Sequence, residues 1–188
     1  LNRENKLDYP YQTSWGVSTR MMGALIMVHS DDYGLVLPPR IAPNKVVIIP
    51  ISNDLEVMSM ANDYLDKLKK EGIEAYIDDS EKSPGYKFAE AEVLGIPVRI
   101  EIGKRDLENN VITLVRRDTR EKREVFTNTD IVHDVKILLE DIQRDMYDRA
   151  LRRREEMTYT CTDIEDFKDI INNHPGFVKA MWCGDTAC

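Results

Sequence analysis

The clearest patterning in the chain begins at Lys45-Val46-Val47-Ile48-Ile49-Pro50-Ile51, a short apolar run rich in β-branched residues. Such a run predicts a strand covered on both faces. Residues 54–71 repeat their apolar positions at helical spacing and close at Gly72. Glu74-Ala75-Tyr76-Ile77-Asp78 predicts a second strand, and Pro84 to Leu94 a shorter helix stopped by Gly95. Val98-Arg99-Ile100-Glu101-Ile102 alternates apolar and charged residues, which predicts a strand with one solvated face. Residues 111–116 and 122–126 read as a hairpin, and Thr129-Asp130 is placed to cap a long helix over about residues 131–156. A βαβα order followed by strands and a helix predicts an α/β fold, a mixed sheet with helices on both sides.

The flanks are patterned differently. Thr13-Ser14-Trp15-Gly16 predicts a strand running into Trp15 and Gly16, with Ser18 at a capping position. Met21, Met22, Leu25, Ile26 and Val28 then follow helical spacing over residues 19–29, up to Asp31-Asp32-Tyr33-Gly34. Leu37-Pro38-Pro39-Arg40-Ile41-Ala42-Pro43 predicts an extended linker and a domain boundary, because prolines cannot donate to a ladder. The last thirty residues predict a short helix from Asp163 to Asn172 and an extended stretch over 176–182. They hold too little apolar material for an independent core.

Composition narrows the class. A hydrophobic fraction of 42% with 32% charged residues fits a soluble globular protein. No stretch reaches the roughly 18 apolar residues of a membrane helix, so no membrane partner is expected. Leu1, followed by Asn2-Arg3-Glu4-Asn5-Lys6, is neither a start nor a secretory signal, so the chain is expected to begin inside a longer protein. A net charge of -8 argues against a surface given over wholly to nucleic acid, yet residues 99–123 carry eight Lys or Arg against five Asp or Glu. Three cysteines, Cys161, Cys183 and Cys188, are too few for a disulfide framework and point to a reduced, cytoplasmic protein.

Three constellations carry candidate chemistry. In Thr13 to Ala24, a glycine frees the backbone, hydroxyls stand at a helix start, and Arg20 lies in the first turn. That arrangement suits an anionic phosphate, although an ordinary junction with a solvated arginine has the same pattern. In Ser83-Pro84-Gly85-Tyr86-Lys87-Phe88-Ala89-Glu90-Ala91-Glu92 and Gly95 to Asp106, Tyr86 and Phe88 offer stacking surface. Lys87, Arg99, Lys104 and Arg105 offer charge, and Glu90, Glu92 and Glu101 can accept from guanine. Phe88 also suits a core position. Finally, Cys183-Gly184-Asp185-Thr186-Ala187-Cys188 can place two thiolates on one zinc, but a structural site needs four ligands, and two free thiols fit the spacing equally. Arg149 and Arg152-Arg153-Arg154 read as a solvated helix face that can also touch RNA phosphates.

Thr13 to Gly23, together with Leu35-Val36-Leu37-Pro38-Pro39-Arg40-Ile41-Ala42-Pro43, resembles motif 3 of class II prolyl-tRNA synthetases of the archaeal and eukaryotic type and the linker that follows it. Gly95-Ile96-Pro97-Val98-Arg99-Ile100-Glu101-Ile102-Gly103 resembles the same family's anticodon-binding domain. The resemblance implies four parts. Residues 1–36 end a class II catalytic domain and 37–44 are a linker. Residues 45–156 form an anticodon-binding domain with a mixed five-stranded sheet, and 157–188 begin a truncated zinc-binding α/β domain. It further implies proline–tRNA ligase activity in a longer homodimeric parent, with ATP and Mg2+, proline and tRNA(Pro) as ligands. Arg20 would act at the ATP phosphates with Ser18 beside it, and Ser14, Trp15 and Gly16 would wall the proline pocket. Lys87, Glu90, Arg99, Lys104 and Arg105 are the candidate anticodon contacts. Cys183 and Cys188 would be half of a four-cysteine zinc site whose other pair lies downstream, with Cys161 not a ligand; the fragment alone is then expected to be inactive and to bind zinc poorly. Two departures from the family pattern are Ser18 for threonine and Lys104 for proline. The rival readings are a non-catalytic RNA-binding adaptor and a small nucleotide-binding α/β domain. Pro50-Ile51-Ser52-Asn53-Asp54 lacks the glycines the latter needs.

Overall fold

The computed structural model describes residues 1–182 and 184. The apolar run forms β1 (Val46–Pro50), and each of its five residues is buried. It lies between β2 (Ala75–Ile77) and β3 (Val98–Ile102), parallel to both, with Val46 facing Ala75 on one side and Val98 on the other. The antiparallel hairpin of β4 (Val111–Arg116) and β5 (Lys122–Phe126) completes the order β2-β1-β3-β4-β5. A mixed five-stranded sheet is therefore observed as the sequence leads one to expect.

The strand period of two sorts side chains onto two faces. Val46, Ile48, Val98, Ile100, Ile102, Ile112 and Leu114 meet Val57, Ala61, Tyr64 and Leu68 of α2 (Leu55–Lys70). On the same side they meet Val135, Leu138, Leu139, Ile142 and Met146 of α5 (Ile131–Glu156). Val47 and Ile49 point the other way, against Ala91 of α3 (Pro84–Leu94), Ile96, Tyr76 and Phe88. Each fully buried Ile or Leu contributes about 1.5–3 kcal/mol relative to exposure, so the larger cluster dominates the stability of this layer. Asp130 caps α5 by accepting from the amides of Val132 and His133.

Several expectations are corrected. The charged side chains of β3 are not solvated: Arg99 and Glu101 are buried beneath α3, because oppositely charged neighbours cover them. Trp15 and Gly16 are not in a strand, since no neighbouring strand among the described residues offers its amides and carbonyls. The first helix, α1 (Arg20–His29), starts without a side-chain cap; Ser18 contributes only its carbonyl, to the amide of Met21. Pro38 does not extend the chain but opens a turn, its carbonyl accepting from Ile41 and Ala42, as a φ fixed near −65° favours. Two short elements escape the sequence patterning, α4 (Lys104–Glu108) and β6 (Thr158–Thr160). β6 pairs in parallel with β7 (Phe177–Lys179), which lies inside the stretch expected to be extended, and the two flank α6 (Ile164–Asn173) in sequence.

The segment after α1 is stitched onto the far end of α3. The amide of Leu35 donates to Val93 O (3.1 Å) and that of Leu37 to Gly95 O (3.3 Å), while Val36 enters the main core. Gly34 sits at φ 137°, and a Cβ there would lie 2.4 Å from Val93 Cα. Gly34→Ala is thus expected to destabilise the protein by more than about 1 kcal/mol, seen as a lower urea midpoint. An unchanged midpoint would show that this close approach carries no weight.

Candidate nucleic-acid interface

The C-terminal ends of β1, β2 and β3 share one edge of the sheet, the edge at which open α/β sheets receive ligands. The loops after β1 and β2 lead into α2 and α3, so both helices present their unpaired first-turn amides there. Ser52 Oγ donates to Asp54 Oδ2 at 2.7 Å, and Lys104 Nζ lies 3.7 Å from Asp54 Oδ1. Arg105, next in α4, is exposed and makes no ion pair among the described residues. Tyr86 is exposed in the first turn of α3, with the Lys82 ammonium 4.6 Å above its ring and 2.9 Å from Glu90. The antiparallel register brings exposed Phe126, at the end of β5, to the same end of the sheet. Two accessible rings and three cations make an edge suited to stacking unpaired bases and balancing their phosphates. Lys82 and Phe126 were not singled out in the sequence. The cue for Lys82 was Glu90, two helical turns away; for Phe126 it was an aromatic ending a strand.

The five candidate base contacts divide by burial. Glu90, Lys104 and Arg105 lie at the surface. Lys87 is buried and donates to the Asp78 carbonyl at 2.8 Å. Arg99 is buried too: Nε donates to Glu101 Oε1 at 2.9 Å, Nη1 to Glu92 Oε1 at 3.2 Å, and its guanidinium lies 4.5 Å from the centre of the Phe88 ring. Lys122 adds a second cation to Glu101 at 3.1 Å. Arg99 and Glu101 thus neutralise one another beneath α3, with Glu92 at the margin and the exposed Lys122 bridging from outside, which makes the Arg99 group a fastener of α3.

Ser14, Trp15, Gly16, Ser18 and Arg20 are all exposed, Trp15 at 92%. Arg20 opens α1 with no acidic residue in the first turn, a placement the helix dipole disfavours unless an anion is present. Cys183 and Cys188 lie outside the described residues. Cys161 is buried, its amide donating to the Lys179 carbonyl, and His174 stacks on Tyr159 with ring centres 5.9 Å apart. Among the described residues no three His, Cys, Asp or Glu side chains converge as metal ligands, and no helix is long and apolar enough to cross a membrane.

Residues 45–132 match the family described as the anticodon binding domain. Over 188 residues, all of this chain, it is 52% identical to a proline–tRNA ligase of Lachnoclostridium phytofermentans and 50% identical to one of Clostridium botulinum. In both cases the match spans 39% of the relative's length. The chain also superposes in full on 41% of a prolyl-tRNA synthetase from Cryptosporidium parvum, crystallised with L-proline and AMP, with a TM-score of 0.89 and 35% identity.

Proposed function

Because this chain matches prolyl-tRNA synthetases along its whole length, we propose that it belongs to that family and is the tRNA-reading part of a proline–tRNA ligase. The observation that carries the reading is the match over all 188 residues, which includes the anticodon-type domain and the segments on either side of it. The parent enzyme activates proline with ATP and Mg2+ to the adenylate and transfers the prolyl group to tRNA(Pro). It works in the cytoplasm as a homodimer.

Within it, residues 1–36 close the catalytic domain, 37–44 link, 45–156 read the anticodon, and 157–188 begin a tail domain. Trp15, Val17, Met21 and Met22, all well exposed, suit burial against the remainder of such a catalytic domain. Arg20 is the group for the ATP phosphates, where a guanidinium opposes the charge that develops on the α-phosphate during attack by the proline carboxylate. Ser18 stands beside it, and Ser14, Trp15 and Gly16 wall the proline pocket. For zinc, only Cys183 and Cys188 are candidates. The one described cysteine, Cys161, is buried away from other ligands, so the described residues do not assemble a four-ligand site.

For anticodon reading, Arg105 and Lys104 are the available cations and Tyr86 the stacking ring, while Glu90 can accept from guanine once released from Lys82. Arg99 and Lys87 act indirectly, by holding α3. In the full-length enzyme, Arg105→Ala is expected to raise the tRNA KM about 2- to 12-fold, the worth of a bond of about 0.5–1.5 kcal/mol. Proline-dependent pyrophosphate exchange should stay unchanged. Loss of both would reject the assignment. A parent that binds tRNA(Pro) but never supports the exchange would be an RNA-binding adaptor instead.

A further inference from the structure

Between the exposed helix α1 and the anticodon-type sheet, the chain passes through a junction made by one arginine. Arg117, just after β4, is 4% exposed. Its Nη1 and Nη2 donate to the two carboxylate oxygens of Asp31, at 2.9 and 2.6 Å. Its Nε donates to the carbonyl of Glu92 at 2.9 Å, and its own amide donates to Pro97 O at 2.9 Å. One side chain therefore joins the segment after α1, the C-terminal end of α3 and the β4–β5 turn. The fork geometry of guanidinium on carboxylate fixes direction as well as distance, which a lysine cannot do. Arg120 from the same turn lies 3.9 Å over the ring of Tyr33, and the backbone pairs at Leu35 and Leu37 continue the seam. The bond from Arg117 holds the Asp31 carboxyl at a pKa of about 2, well below its ordinary value.

The location gives the junction its meaning. The first turn of α3 carries Tyr86 at the base-reading edge, and its last turn carries the carbonyl that Arg117 holds. Asp31 follows two residues after α1, the helix that begins with Arg20. α3 thus runs from the base-reading edge to the segment that follows α1, the helix whose other end carries Arg20. We propose that Arg117 and Asp31 are positioning residues that lock the anticodon-reading domain at a fixed angle to the catalytic domain, so that tRNA gripped at one reaches the other in register. This rests on the reading of the parent as a proline–tRNA ligase. Neither side chain touches a substrate; both act through α3 and α1.

The test uses the full-length enzyme with Arg117→Met, and Asp31→Asn as the milder variant that keeps the buried guanidinium and its bond to the backbone. Aminoacylation of tRNA(Pro) is expected to lose about tenfold or more in kcat/KM, through kcat rather than KM, while proline-dependent pyrophosphate exchange stays within about twofold. Spin labels on α1 and on the outer face of α5 should give a broader distance distribution in both variants, at unchanged far-UV circular dichroism. Arg117→Lys, which restores charge without the fork, should recover little. Normal aminoacylation in a folded Asp31→Asn enzyme, or an unbroadened distance distribution, would overturn the proposal. So would equal losses in both activities. If the unaltered parent showed no pyrophosphate exchange, the enzyme reading would fail, and the spin-label distances would still decide whether the junction is a lock.

Discussion

Glu101→Ala is expected to lower the unfolding free energy by about 3–5 kcal/mol, because it removes the buried carboxylate that pairs with the buried Arg99 guanidinium. Arg99 is buried and does not recover full hydration when the partner is lost, whereas Lys122 is largely exposed and does. Glu92 remains for Arg99 at 3.2 Å, but the Nε–H that Glu101 accepted is left without that partner. The measurement is the urea midpoint of the whole chain by circular dichroism. Replacing the pair together, Arg99→Met with Glu101→Leu, should cost far less, since an apolar pair of similar volume leaves no buried charge uncompensated. If the single and double variants lost equal stability, the effect would come from packing and the ionic account would be wrong. The distinction bears on the proposed function, for the same cluster holds α3 and with it Tyr86 at the edge proposed to read bases.

On the proposal that the parent is a proline–tRNA ligase with Arg20 at its ATP site, Arg20→Ala should reduce proline-dependent pyrophosphate exchange by about 10- to 150-fold, the equivalent of about 1.5–3 kcal/mol for a charge-assisted bond. Stability should hardly change. Arg20 is exposed and makes no ion pair among the described residues, and its position at the start of α1 is electrostatically unfavourable. Alanine there should even favour the helix slightly. An exchange rate equal to that of the unaltered enzyme would remove Arg20 from the ATP site. The two variants also separate cleanly: one damages the fold with the chemistry intact in the surviving molecules, the other damages chemistry with the fold intact.

Strong periodic signals were legible from sequence. The β-branched run at Val46–Pro50, the hairpin strands Val111–Arg116 and Lys122–Phe126, and the capped helix from Ile131 all stand where local chemistry places them. The alternation in β3 misled because a charged residue on a strand face says nothing about what covers that face. Here the covering helix brings Glu92, and the neighbouring hairpin brings Lys122. The hint was present in the opposite charges of Arg99 and Glu101, two residues apart and hence on one face. Short elements such as α4 and β6 depend on tertiary partners rather than on period, and five or three residues are too few to show one. For the candidate interface, charge and aromatic content pointed to the segments around α3 and α4, but only coordinates separate Arg105, which is exposed, from Lys87, which is committed to the Asp78 carbonyl.

The 26 residues of α5 span about 39 Å, yet its buried positions end at Met146. The remaining three turns overhang the core. Onto that overhang come α1 from one side and Gly176 and Phe177 of the tail from the other, with Met27, Val28 and His29 facing Arg149, Arg153 and Met157 around a cavity of about 690 Å3. α1 and the start of β7 therefore share a single cantilever. A bend anywhere in its last three turns would displace both together, which ties the geometry of the two flanking segments to the stiffness of one helix.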